Sequence, residues 1–191
     1  MPDIPMKSGR SVKVEFEYLR HGTQALIASF NVASGRIAQA NVGDSRTEKD
    51  LDIHVRALLA QYPDAPKLHL GMDCLNTHQS EALVRIVAEL EAQPPELGEK
   101  GKSGILKSME TRAAFLTDSA HRLVFHFTPK HCSWLNQIEI WFSILVRKLL
   151  RRSSFTSKAQ LKTRILEFID YFNRTMAKPF KWTYKGKPLT A

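Results

Sequence analysis

The order of elements along the chain predicts an α/β fold. Three observations carry this reading: an N-terminal stretch that alternates apolar and polar residues, two later apolar runs of strand length at 67–73 and 122–127, and capping signals that open amphipathic helices between and after them. The 191 residues are 43% hydrophobic and 25% charged, which suits one compact domain over 1–191 and excludes a disordered or collagen-like chain.

Residues 11–20 place Val12, Val14, Phe16 and Tyr18 on one face and Lys13, Glu15 and Glu17 on the other, the period-two pattern of a half-buried strand. Residues 23–32 and 36–42 read as two more strands joined by the turn Ala33-Ser34-Gly35, so three antiparallel strands are expected. Ser45-x-x-Glu48 has the form of a capping box and opens a helix with Leu51, Val55, Leu58 and Leu59 on one face, ending before Pro63. Residues 67–73 form a buried strand bounded by Pro66 and a polar cluster. A second helix covers 80–91, and the Pro/Gly/Lys-rich run 94–102 reads as an insertion rather than a domain boundary. Residues 103–117 are expected to be helical and 122–127 to be another buried strand. The apolar stretch 133–150, with Trp134, Ile138, Trp141, Phe142, Leu145 and Leu149, predicts a core helix capped at Ser133. The last helix opens at Ser157-x-x-Gln160 and carries Leu161, Ile165, Phe168, Ile169 and Phe172 as its stripe.

Charge is uneven. The chain has 28 Lys and Arg against 19 Asp and Glu, a net charge of +9. Residues 141–191 hold 12 of the basic residues but only two acids, Glu167 and Asp170, so this basic C-terminal helical region carries the whole excess. Either a polyanionic partner or a plain solvated helix face accounts for it. The apolar runs are short and the start, MPDIPMKSGR, has no signal-peptide h-region, so no membrane partner and a cytoplasmic location are expected. Cys74 and Cys132 are too few for a disulfide scaffold and are expected to stay thiols.

Two carboxylates stand out. Asp73 ends an apolar strand and begins Asp73-Cys74-Leu75-Asn76-Thr77-His78, at the strand end where open α/β sheets place their ligands; the same position also suits a turn or cap residue. Glu139 falls six positions beyond Ser133, inside the apolar stretch, where a cap cannot use it; a carboxylate buried there needs an Arg or a metal ion as partner. Cys74-x-x-x-His78 and His131-Cys132 contain zinc-ligand residue types without the paired spacing of structural zinc, so packing is the expected role of both thiols. Cys132 has no positioned base beyond its neighbour His131. Trp134, Trp141 and Phe142 are expected in the core.

The run Thr128-Pro129-Lys130-His131-Cys132-Ser133-Trp134-Leu135-Asn136-Gln137-Ile138-Glu139-Ile140-Trp141-Phe142 resembles the signature of bacterial insertion-sequence transposases of the mariner superfamily, which carry a DDE catalytic domain. Residues 17–23, 73–78, 171–173 and 179–182 agree with it in family order. The resemblance implies an RNase H-like mixed sheet with flanking helices, in which three carboxylates hold two Mg²⁺ (or Mn²⁺) ions for cleavage and transfer of DNA strands. Carried over position by position, Asp73 matches the second acid and Glu139 the third. Asn76, Thr77 and His78 match the loop after the second acid, and His131, Ser133 and Asn136 the residues leading to the third.

Two departures accompany the match. Cys74 stands where the family usually has Asn, and the 66 positions from Asp73 to Glu139 exceed the spacing usual in the superfamily, which the region 94–117 explains as an insertion. The family's first Asp lies on a strand upstream of the segment matching 11–23, and Asp3, Glu15 and Glu17 are not substitutes. The chain is therefore expected to be an N-terminally truncated transposase fragment without its first strand, inactive alone. The alternative is a non-catalytic DNA-binding or regulatory remnant. The implied partners are double-stranded DNA, as transposon ends and target, and either a second copy or an upstream transposase fragment. Arg147, Lys148, Arg151 and Arg152 are the expected DNA contacts, in a nucleoid-associated protein.

Overall fold

In the computed structural model, which describes residues 8–9, 21–129, 136–151, 153–179 and 181, regular structure begins with a β-hairpin. Its strands, β1 (Ala25–Asn31) and β2 (Arg36–Gly43), pair antiparallel. The strand expected at 11–20 lies outside the described residues. Asn31 folds the turn by accepting the Ala33 and Ser34 N–H groups on Oδ1 at 3.0 and 3.1 Å. Gly35 closes it at φ 71°, and a Cβ there would strike the Lys178 carbonyl, so both the backbone conformation and the close approach demand glycine. The ladder skips Ala38 between the pairs Ser29↔Gln39 and Phe30↔Ile37. This bulge resets the alternation, so that Ile37, Ala40 and Val42 join Leu26, Ala28 and Phe30 in one apolar cluster.

Helix α1 (Glu48–Leu59) covers the other face of the hairpin. Its cap corrects the sequence expectation: Thr47, not Ser45, is the N-cap, and Asp50, not Glu48, completes the box. Thr47 has the extended backbone a cap needs, its N–H donates to Asp50 Oδ2 at 2.7 Å, and the Ser45 hydroxyl donates to the same oxygen. Glu48 is thereby freed for another helix: its Oε1 accepts the Ala82 N–H at 2.8 Å. Between α1 and the hairpin lies a buried polar chain. His54, 1% exposed, receives the Ser29 hydroxyl at Nε2 (2.8 Å) and donates from Nδ1 to Asn41 Oδ1 (2.7 Å). The amide oxygen can only accept, so Nδ1 carries the proton, and burial pushes the His54 pKa down to about 4.

Strand β3 (Leu68–Met72) leads through a 3₁₀ turn (Asn76–Gln79) to α2 (Glu81–Glu89), then α3 (Met109–Leu116) and β4 (Leu123–Phe127), which pairs parallel with β3. Leu83, Val84, Val87, Leu106, Leu116, Leu123 and Phe125 are fully buried around this pair together with Val55. The helix expected over 103–117 is confined to α3, because Gly104 takes φ 62° against the Leu97 carbonyl and Ser108 caps the helix at Thr111. The segment 94–117 nevertheless supplies core, through Leu106 and Leu116. Among the described residues the four strands form two separate pairs, with no backbone ladder between them.

Helix α4 (Ile138–Leu145) runs directly into a π turn (Val146–Leu150), in which Arg151 N–H reaches the Val146 carbonyl at 2.8 Å. Trp141, Leu145 and Leu149 are the buried positions, four apart. Each four-residue step overshoots an α-helical turn by about 40°, and the wider π turn brings Leu149 back to the core face. Helix α5 (Lys158–Thr175), capped by Ser157, packs Ile165, Ile169 and Phe172 against them, with Phe172 edge-on to Trp141. Asn173 fastens α5 to the hairpin by accepting the Ile37 N–H (2.8 Å) and donating to the Ile37 carbonyl (2.9 Å).

Candidate functional site

Asp73 is the first residue past β3, beside the end of β4, where the Thr128 N–H still bonds to the Met72 carbonyl at 2.8 Å. Its Oδ1 lies 2.6 Å from His78 Nδ1 and accepts the Leu75 N–H at 3.3 Å; His78 Nδ1 also lies 3.1 Å from the Asp73 carbonyl. Both partners of Nδ1 are acceptors, so that nitrogen carries a proton and the imidazole fixes the carboxylate's orientation. The side chains are 34% and 21% exposed, and Asp73 Oδ2 makes no hydrogen bond or ion pair among the described residues. Asp73 thus orders its turn through Oδ1 and leaves Oδ2 unengaged among the described residues.

The loop that carries His78 is clamped from three sides. Arg112 of α3 donates from Nε to the Gln79 carbonyl at 2.7 Å, Ser80 caps α2, and Glu48 of α1 holds the Ala82 N–H. Asn76 is exposed and Thr77 half-buried on this turn. Cys74 is exposed and its thiol donates to the Thr128 carbonyl at 2.9 Å, which corrects the expectation that it packs inside. Cys74 and His78 therefore have separate partners.

Glu139 also differs from expectation. It is exposed in the first turn of α4, two residues past Gln137 at the N-cap position, rather than buried in mid-helix, so it needs no compensating Arg. A carboxylate there sits favourably at the positive end of the helix dipole. Asn136 precedes the N-cap residue Gln137 and its carbonyl accepts the Glu139 N–H at 3.1 Å. His131 and Ser133, with Cys132 and Trp134, lie outside the described residues. Trp141 is buried and Phe142 half-buried against the second cluster, as expected.

Among the described residues no group of three or more His, Cys, Asp or Glu gathers as a metal cage. The donors that are present, a partly exposed Asp73 with one unengaged oxygen and an exposed Glu139, are hard oxygen ligands. By donor type each suits a hard cation such as Mg²⁺. Among the described residues α4 makes no extensive contact with β3 or the loop after it that would bring the two carboxylates into one cluster. Arg147, Lys148 and Arg151 stand exposed on and just after the π turn; Arg152 lies outside the described residues. On α5 the charges are partly cancelled, by Arg164 with Glu167 and Arg174 with Asp170.

Sequence reading missed two features. His69 and His126 contact each other on the exposed face of the parallel pair, Nδ1 to Nε2 at 2.8 Å; strand alternation in the two apolar runs was the available signal. Arg112 left no signal, since its acceptor is 33 positions away.

Fold and site together define a mixed α/β protein with a carboxylate-bearing loop past the carboxyl ends of two parallel strands. The family model described as DDE superfamily endonuclease matches residues 1–162, and the chain belongs to that family. The family acts on DNA and typically uses divalent metals. Comparison with curated proteins and with solved structures gave no match. Among the described residues no helix is long and apolar enough to cross a membrane.

Proposed function

We propose that the chain is a transposase catalytic region of the bacterial insertion-sequence branch of the mariner superfamily, RNase H-like in fold, working on DNA strand cleavage and strand transfer. The observation that carries this reading is the Asp73–His78 arrangement: a strand-end carboxylate oriented on one oxygen and open on the other, in a chain of the DDE endonuclease family. Asp73 and Glu139 would hold the cation. When bound, it supplies charge neutralisation for phosphoryl transfer. His78 keeps Asp73 Oδ1 from turning away, the clamps at Gln79 and Ala82 hold the loop at a fixed height, and the basic π turn holds the DNA backbone.

Mg²⁺ and Mn²⁺ titration of the full chain and of Asp73→Asn and Glu139→Gln tests it. Loss of cation binding in both variants with unchanged thermal unfolding is the expected result; binding unaffected by either substitution overturns the site. A second reading, DNA binding without cleavage, is favoured by the exposed Arg147, Lys148 and Arg151, because phosphate contacts need no metal. Cation binding that both Asp73→Asn and Glu139→Gln abolish favours the first reading; salt-dependent duplex binding by a chain that takes up no cation favours the second.

A further inference from the structure

The segment Tyr171-Phe172-Asn173 divides its labour unevenly. Phe172 fills the core against Trp141, and Asn173 bonds both backbone groups of Ile37. Tyr171 does neither: it is 51% exposed and turned away from that core. It lines a cleft of about 400 Å³ between the π turn and α5, together with Lys148, Leu149, Arg164, Glu167, Phe168 and Met176.

The chemistry of that lining is two-layered. Leu149, Phe168 and Met176 give it an apolar floor, and Phe168, three residues before Tyr171 on α5, lines the same side of the helix. Lys148 and Arg164 give it a cationic rim. Lys148 has no ion-pair partner among the described residues, and the one acid, Glu167, is held by Arg164 at 3.0 Å, which leaves the rim positive. Arg147 and Arg151 extend the charge along the same turn. A flat apolar ligand with a phosphate attached satisfies both layers, and the volume is in the range of small-ligand sites.

We propose that this cleft takes an unpaired nucleotide of single-stranded DNA, its base against Tyr171 and Phe168 and its phosphate on Lys148 and Arg164. The inference rests on the reading of the chain as a DNA-processing protein and adds a strand-state preference to it. Duplex DNA keeps its base faces stacked inside the helix and offers the cleft only its phosphates. A single strand offers the ring faces as well, and base–aromatic stacking tolerates any sequence.

Fluorescence anisotropy of the full chain with an oligonucleotide of about 15 nucleotides, single-stranded and as duplex, tests the proposal at fixed salt. Tyr171→Ala is expected to weaken single-strand binding about tenfold and to leave duplex binding within about twofold, while Tyr171→Phe, which keeps the ring, retains both. Circular dichroism confirms that the variants fold. Tyr171→Ala that leaves single-strand affinity unchanged, or that lowers both affinities alike, overturns the cleft assignment while duplex binding by the parent chain keeps the DNA reading standing. A parent chain that binds neither strand state overturns both.

Discussion

Around the parallel pair β3–β4, charges answer one another: Arg56 reaches Asp52 and Glu89, Arg85 reaches Glu81, and Lys100 lies between Glu48 and Glu81. Around α4, the π turn and α5, Arg147, Lys148 and Arg151 stand in solvent with no ion-pair partner among the described residues. The first region is electrostatically closed and bears the carboxylate loop; the second keeps its field directed outward. The second region also carries Glu139, in the first turn of α4, so the two carboxylates singled out by the sequence lie one in each region. The hairpin joins the two, since Ile27 packs on the first cluster while Leu26, Ala28 and Phe30 pack on the second.

The strongest test of that joint is to empty each cluster in turn. Phe125→Ala in the first and Trp141→Ala in the second are each expected to cost about 3–5 kcal/mol in urea unfolding, because both side chains are fully buried. One shared transition in both variants would show the hairpin couples the clusters; a Trp141→Ala protein that unfolds in two steps would show they are separable.

Next in size is the buried His54 at the first cluster's contact with the hairpin. Its folded pKa, about 4, lies below the ordinary 6.5, so above pH 6.5 both states are neutral and nothing is lost. As pH falls from 6.5 to 4 only the unfolded chain takes up the proton, and stability should drop by about 3 kcal/mol in total, then level off. His54→Gln should flatten that window, measured as denaturation midpoints against pH; an unchanged slope would assign the pH dependence elsewhere.

Asn173→Ala removes both bonds to Ile37 and should cost about 1–3 kcal/mol, since the backbone groups it leaves are partly buried. Asn173→Asp, which keeps the acceptor, should recover part of the loss. Reversing Arg147, Lys148 and Arg151 to Glu should lower the slope of log K against log salt for duplex DNA by about 2.7, or about 0.9 per phosphate contact. A slope that stays unchanged would place the DNA elsewhere. The smallest effect belongs to the closed region: Arg56→Ala should cost no more than about 1 kcal/mol, as its ion pairs are largely solvent-exposed.

The helix stripes of α1, α4 and α5, the cap at Ser157 and the placement of Asp73 at a strand end were all legible in the residues themselves, because they depend on spacings of two to four positions. Other features were decided by packing. Ser45–Glu48 and Thr47–Asp50 have the same spacing, and only the backbone leaving β2 selects the second as the cap. The bulge at Ala38 and the π turn at Val146–Leu150 arise because Ile37 and Leu149 must face one apolar cluster, a demand no local pattern contains. Glu139 looked buried because its neighbours are apolar, yet helix phase and the position of the first turn turn it to solvent. The contacts of Arg112 with Gln79 and of Asn173 with Ile37 cross 33 and 136 positions. Local periodicity fixes which face of an element is apolar; which polar group meets which depends on how those faces come together in space.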